Sequence, residues 1–275
     1  MQDYNNVDQH LHLLCQIIGK ANRTFLPEEA DESHTNLYFD SLGNKILGRW
    51  MQAETGNVLV SLDLSTLNFE VLASNRKKIL TLPSIGKTME EIEIEFEKLL
   101  PEAGLDPEGF RAPLPRAIPA YPFRKKPLEA METQALDQWK YFRNLANQSS
   151  NKFLGYAQAE SEVRIWPEHF DTGVYFEYDG KIGMGFGLAM EDSMAGAPYF
   201  YMAGYPVKGS LFFENLPESS SWRWELGEHW KGAILPLTHI EKMSSRQTER
   251  ILGDYIIQNF NWYAGQGILD IQGLH

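Results

Sequence analysis

Cysteine is all but missing from this chain: Cys15 is the only one in 275 residues. That excludes an internal disulfide and a thiolate metal cage, and a cytoplasmic setting is the expectation. Long apolar runs are missing too; none approaches the roughly 18 residues that a membrane span needs. The opening stretch "MQDYNNVDQHLHLL" has neither a basic n-region nor a long apolar h-region, so no signal peptide is expected. Positive charge is in short supply, with 25 Lys and Arg against 37 Asp and Glu and a net charge of −12. Proteins that bind nucleic acid or anionic membranes over a broad surface carry the opposite balance, so neither partner is expected. The basic runs "NRKKI" (75–79) and "FRKK" (123–126) are short, and a solvated surface explains them. HExxH, GxSxG and GxxxxGKS/T do not occur. No metal site is expected and no cofactor is indicated.

What is present reads as an ordinary globular mix, 43% hydrophobic and 23% charged, long enough to bury a core in one large domain or two smaller ones. Val7, Leu11, Leu14 and Ile18 form one apolar stripe, which predicts a helix capped at Asn5 or Asn6 and ending near Gly19. Strands are expected in "NLYFDS", "KILGRWM", "NVLVSLDL", "NFEVLAS" and "KILTLP". A helix follows with Met89, Ile92, Phe96 and Leu99 in register, opened by a Thr88–Glu91 capping box. Seven prolines between Pro101 and Pro127 preclude regular structure through most of that stretch. Beyond it come a helix carrying Leu136, Trp139 and Phe142, strands from 162 to about 237, and a last helix from Ser244–Ser245. The expected fold is α+β, mainly antiparallel sheet with flanking helices. Its expected organisation is an N-terminal half (1–105), a Pro-rich connector (106–127) and a C-terminal half (128–275). Each half runs helix, strands, helix; the alternative is one continuous domain without internal symmetry.

"VRIWPEHFDTGVYFEYDGKIGMGFGL" (163–188) carries the densest chemistry. Asp179–Gly180 signals a hairpin, because a type I′ turn needs positive φ at both central residues. A two-residue turn sets Tyr178 against Lys181, Phe176 against Gly183, Val174 against Gly185 and Thr172 against Gly187. The face with Asp171, Gly173, Tyr175 and Glu177 is then expected to pack on the core, so both acids would need partners. A glycine row lets something approach the backbone closely. His169 and Asp171 share a face if the strand is regular there, a pairing suited to acid–base work but more often a structural hydrogen bond. His10 and His12 point to different sides of a helix and do not make a ligand pair. Cys15 reads as a buried, inert thiol. "PYFYMAGYP" (198–206), with Trp222, Trp224 and Trp230, supplies rings for a core or for a pocket that takes sugars, rings or apolar ligands.

"LHLLCQIIGKANRTFLPEEADESHTNLYFDSLG" resembles the opening of a bacterial family of uncharacterised proteins, a domain-of-unknown-function family, at Gln16, Gly19, Lys20, His34, Leu37 and Tyr38. Trp166, Phe170 and Asp171 are similar to that family's aromatic strand, and "PYFYMAGYP" to its third block. The family's segment before Leu-Tyr often holds two tryptophans and a further His. Here "DESHTN" keeps only His34, which tells against a two-histidine site, and His169 varies in the family pattern, which favours Asp171. The resemblance brings no established activity.

Gln16 and Lys20, four apart on a helix, make a donor-rich spot for a carboxylate or phosphate. The plainer reading is a Lys20 salt bridge to Asp171 or Glu177. Two functions are therefore carried. One is a module that binds a small molecule in an aromatic-lined pocket built from Gln16, Lys20, Trp166, Tyr175, Tyr199 and Tyr205, with Lys20 or Arg164 meeting a small anion. The other is a hydrolase-like enzyme using Asp171, His34, His169 and Lys20, with or without a hard divalent metal. No recognisable nucleophile favours the enzyme, so the binding reading leads.

Overall fold

The apolar spacing that starts at Val7 does not stop at Gly19. In the computed structural model, which describes residues 1–54 and 56–266, helix α1 spans Gln2–Phe25. Gly19 stays helical and marks close packing: a Cβ there would lie 3.2 Å from Leu114 Cδ1 and 3.4 Å from Pro167 Cβ. Among the described residues, four α-helices and two antiparallel sheets make an α+β fold. The chain divides into an N unit, Gln2–Asn144 with Arg164–Phe170, and a C unit, Met1, Leu145–Val163 and Asp171–His275.

In the N unit, β1 (Tyr38–Asp40), β2 (Lys45–Leu47), β3 (Met51–Ala53), β4 (Gly56–Asp63), β5 (Asn68–Ala73) and β6 (Lys78–Pro83) follow the expected runs, except that "KILGRWM" breaks at residues 48–50 into β2 and the start of β3. They pair in the order β1-β2-β4-β5-β6, with β3 on β4. Asn22 of α1 is fully buried and ties the helix to the segments that flank the first strands. Its amide donates to the Thr35 and Asn36 carbonyls (3.3 and 3.0 Å) and its Oδ1 accepts from Arg49 N–H (3.0 Å). α2 (Met89–Leu99) opens with the expected capping box and buries Ile92 and Phe96, the latter edge-on to Phe69 at 5.9 Å. The Pro-rich segment 106–127 is irregular, as its prolines require, and lies wholly within the N unit. Prolines donate no backbone hydrogen bonds but leave carbonyls free to accept. The Arg23 guanidinium takes four of them, from Gly109, Phe110, Ala112 and Pro113 (3.0 to 3.1 Å). α3 (Thr133–Ala157) begins in the N unit and ends in the C unit. β7 (Arg164–Ile165) belongs to the N unit, where Ile165 and Leu37 exchange backbone hydrogen bonds (2.7 and 2.9 Å).

The C-unit strands are β8 (Thr172–Tyr178), β9 (Ile182–Ala189), β10 (Tyr199–Pro206), β11 (Arg223–Leu226) and β12 (Lys231–Pro236), paired β11-β12-β10-β9-β8. α4 (Ser245–Ala264) covers one face, where Tyr255 donates to the Ala233 carbonyl (2.6 Å) and Phe153 of α3 packs on Phe176, Phe186 and Phe260. Both units run helix, antiparallel strands, helix. Their strand orders differ: in the C unit β12 rather than β11 pairs with β10, whereas in the N unit β2 and β3 both pair with β4 and β4, β5 and β6 follow in chain order.

The hairpin register departs from the expected one. Asp179 and Gly180 do take positive φ (53° and 63°) and Lys181 N–H reaches the Tyr178 carbonyl (3.1 Å). The ladder then resumes one residue later, with Tyr178 opposite Ile182, Phe176 opposite Met184 and Tyr175 opposite Gly185. Burial decides this, since a one-residue slip moves every side chain to the other face. The observed register puts Val174, Phe176, Met184 and Phe186 together on the core side. Tyr175 and Glu177, expected inside, are exposed.

Candidate functional site

The same slip builds a surface on the opposite side of the C-unit sheet. Alternation along β8, β9 and β10 brings Gly173, Tyr175 and Glu177 beside Gly183, Gly185 and Gly187, and these beside Tyr201, Ala203 and Tyr205. The middle strand therefore offers a strip without side chains, and rings from both neighbours lie across it. A Cβ at Gly183 would run into the Tyr175 ring, and one at Gly185 would touch Tyr201 and Tyr205 at 3.7 and 3.8 Å. Trp230 covers Gly232 in the same way, its ring carbons 2.6 and 2.8 Å from where a Cβ would stand. Tyr175 and Tyr205 are 43% and 46% exposed, with centroids 6.4 Å apart and planes inclined by 46°.

Two carboxylates hold the other end of this face. Asp171 Oδ2 accepts from the Tyr201 hydroxyl (2.5 Å) and Asp192 Oδ2 from the Tyr199 hydroxyl (2.8 Å). Burial, reinforced by the adjoining carboxylate, drives both phenols well above their ordinary pKa, so they stay protonated donors. Tyr175 and Tyr205 are raised as well, by burial first and then by Glu177 and Asp171 respectively, with Trp230 opposing the rise at Tyr205. Of the residues expected from sequence, Asp171, Tyr175, Tyr199 and Tyr205 thus share one sheet face. Tyr201 and Asp192 were not anticipated. Tyr201 had a legible signal, because it alternates with Tyr199 and Tyr205 in "YFYMAGYP".

The remaining expected residues lie in the N unit and have partners there. Lys20 pairs with Glu93 (2.5 Å) rather than with Asp171 or Glu177. The Gln16 amide donates to the Pro167 and His12 carbonyls (2.7 and 3.1 Å). His34 is buried, with Nδ1 accepting from Glu29 N–H (3.1 Å). Trp166 is half-buried beneath the Arg164 guanidinium, 5.5 Å from its ring centre. His169 is exposed. Phe170, at φ 54°, interrupts the chain between it and Asp171, so the strand alternation assumed for that pair does not hold. The enzyme cluster of Asp171, His34, His169 and Lys20 is therefore divided between the units.

The N unit also buries a polar network that the sequence did not announce. Asp8 Oδ1 accepts from Arg143 Nη2 (2.5 Å) and Trp139 Nε1 (2.7 Å), and Arg143 Nη1 donates to the Phe170 carbonyl (2.7 Å). His12 lies 2.9 Å from the Pro167 carbonyl by Nε2 and 2.7 Å from the Tyr121 hydroxyl by Nδ1. A carbonyl only accepts, so Nε2 carries the hydrogen and Nδ1 accepts from Tyr121. His10, on another side of α1, stacks on Phe123 at 3.8 Å. Burial pushes the Cys15 thiol far up, leaving no thiolate at neutral pH. These groups fasten the 167–170 segment to α1 and α3.

Among the described residues, no group of three His, Cys, Asp or Glu side chains is placed to hold a metal ion, and no helix is long and apolar enough to cross a membrane. The chain matches no protein family, no curated protein and no solved structure.

Proposed function

We propose that the protein binds a small organic molecule on the outer face of the C-unit sheet, with an apolar or ring face of the ligand laid on Tyr175 and Tyr205. The observation that carries this reading is the pair itself: two half-exposed phenols 6.4 Å apart over a strip of sheet without side chains. Single exposed aromatics are ordinary on protein surfaces. Two side by side, with hydroxyls and carboxylates at the margin, supply both the contact area and the orienting polar groups a ligand site needs. Gln16, Lys20 and Trp166 serve the N unit instead, so the anion-binding variant of this function has no support from their contacts.

A thermal-shift screen against metabolites, sugars and aromatic compounds tests it. A ligand at a hundred times its Kd adds about 2.7 kcal/mol of stability. The stabilisation should vanish in Tyr175→Ala, in Tyr205→Ala and in Gly183→Ala, whose new methyl lifts the Tyr175 ring. It should persist in Tyr141→Ala, which removes an equally exposed ring elsewhere. A ligand retained by all three platform variants would place the site somewhere else.

A further inference from the structure

Resting on that reading, we propose that the ligand is a neutral oligosaccharide in an extended chain, laid across the strands with successive sugar units on Tyr175, Tyr205 and Trp230. The strand register sets these rings in one line. Glu177 on β8 and Tyr205 on β10 are the direct neighbours of Gly183 on β9. The β10–β12 ladder sets Ala203 against Gly232, so two residues further along it Tyr205 stands against Trp230. The line therefore reads Glu177, Gly183, Tyr205, Trp230. Its one position without a side chain is filled from β8, because the Tyr175 ring leans to where a Cβ on Gly183 would stand. Three strand spacings, about 14 Å, separate the two ends. A single small ring would leave most of that span uncovered.

Tilt and polarity narrow the ligand further. Tyr175 and Tyr205 are half-exposed, as rings are that rest one face on the sheet and turn the other outward. Trp230 is half-buried, and its indole, a donor only, hydrogen-bonds the Tyr205 side chain, which joins the second ring to the third. A flat aromatic ligand lies parallel to only one of two planes inclined by 46°. Sugar units turn relative to one another along a chain, so consecutive C–H faces meet rings of different tilt. Those faces supply the apolar half of the recognition. For the polar half, the exposed Glu177 carboxylate accepts from sugar hydroxyls at one end of the line, and Tyr205 still has its own hydrogen to donate. The net charge of −12 disfavours a polyanionic chain.

Calorimetric titration with cellohexaose and chitohexaose tests this, beside cellobiose as a short probe and indole as a flat one. At least one hexasaccharide should bind, more tightly than cellobiose. Tyr175→Ala and Trp230→Ala should each weaken it about tenfold or more. Trp230→Phe, which keeps a ring on the line, should lose less than Trp230→Ala. Trp50→Ala, which removes an equally exposed ring elsewhere, should leave the affinity unchanged. Hexasaccharide binding untouched by Tyr175→Ala and Trp230→Ala lies at another site and overturns the proposal. Cellobiose bound as tightly as the hexasaccharides, with Trp230→Ala unmoved, overturns the extended chain. Indole bound and lost in Tyr175→Ala, with both hexasaccharides silent, overturns the oligosaccharide and leaves the platform standing. Silence of all four probes overturns the oligosaccharide, while the broader screen decides the platform separately.

Discussion

Lowering the pH from 7 to 4 should cost the N unit about 3 kcal/mol through His12 alone. Burial is the chief reason: the ring is 1% exposed and stacked on Phe170 at 5.3 Å, and the Arg143 charge adds to the effect. The Pro167 carbonyl opposes it, and the net result is a folded-state pKa lowered from 6.5 to about 4. The unfolded imidazole therefore takes its proton near pH 6.5, while the folded one refuses it until about pH 4. Between those values the unfolded chain binds more protons, so stability present above pH 6.5 is lost as the pH falls. One proton amounts to about 1.4 kcal/mol per pH unit across that window. Urea unfolding at pH 7, 6, 5 and 4 measures it in the wild type and in His12→Gln, which cannot titrate there. His12→Gln should be the weaker protein at pH 7 and lose less on acidification, so that the two curves converge towards pH 4. Curves that stay parallel throughout would mean that the His12 environment does not discriminate between its two protonation states.

Other consequences are as direct. Asp8→Asn removes the charge that accepts from the buried Arg143 and Trp139 donors and should cost about 3 to 5 kcal/mol in urea unfolding at pH 7; a loss below 1 kcal/mol would contradict the geometry. In Gly173→Ala the new Cβ strikes the Phe186 carbonyl and lies 2.7 Å from Gly187 Cα, so the β8–β9 ladder must part and the melting temperature should fall. Gly253→Ala, inside α4 with open space around it, should instead add about 0.5 to 1 kcal/mol. Arg23→Ala releases the carbonyls of residues 109–113, and trypsin should then cut after Arg111 or Arg116 several-fold faster; an unchanged rate would mean the prolines alone hold that segment.

Much of the architecture was legible because it follows from local periodicity. The N-unit strands, the Thr88–Glu91 box, the start of α4 at Ser245 and the positive-φ turn at Asp179–Gly180 are each written in a few adjacent residues. The candidate platform was half legible. Tyr199 and Tyr205 announce a face by alternation, and Asp171 and Tyr175 stood out as polar and aromatic residues near a glycine row. Which face looked outward was not legible, since counting from the turn assumes no extra residue, and Lys181 is one. Only packing of Val174, Phe176, Met184 and Phe186 against α3 and α4 selects the register. The end of α1 was misjudged for a similar reason: Gly19 is a stop signal locally and a close-packing position in three dimensions.

By itself, then, the sequence determined the α+β class, the identity of most elements and the acidic, nearly cysteine-free character of the chain, all properties summed over neighbours along it. The tertiary structure alone decided which polar groups meet. Asp8 and Arg143 are 135 residues apart, and His12 and Tyr121 are 109 apart. It equally decided that Lys20 belongs to Glu93 and that Tyr175 faces away from the core. Such pairings depend on how separate elements pack, and a buried charge accepts whichever partner that packing brings within hydrogen-bonding distance.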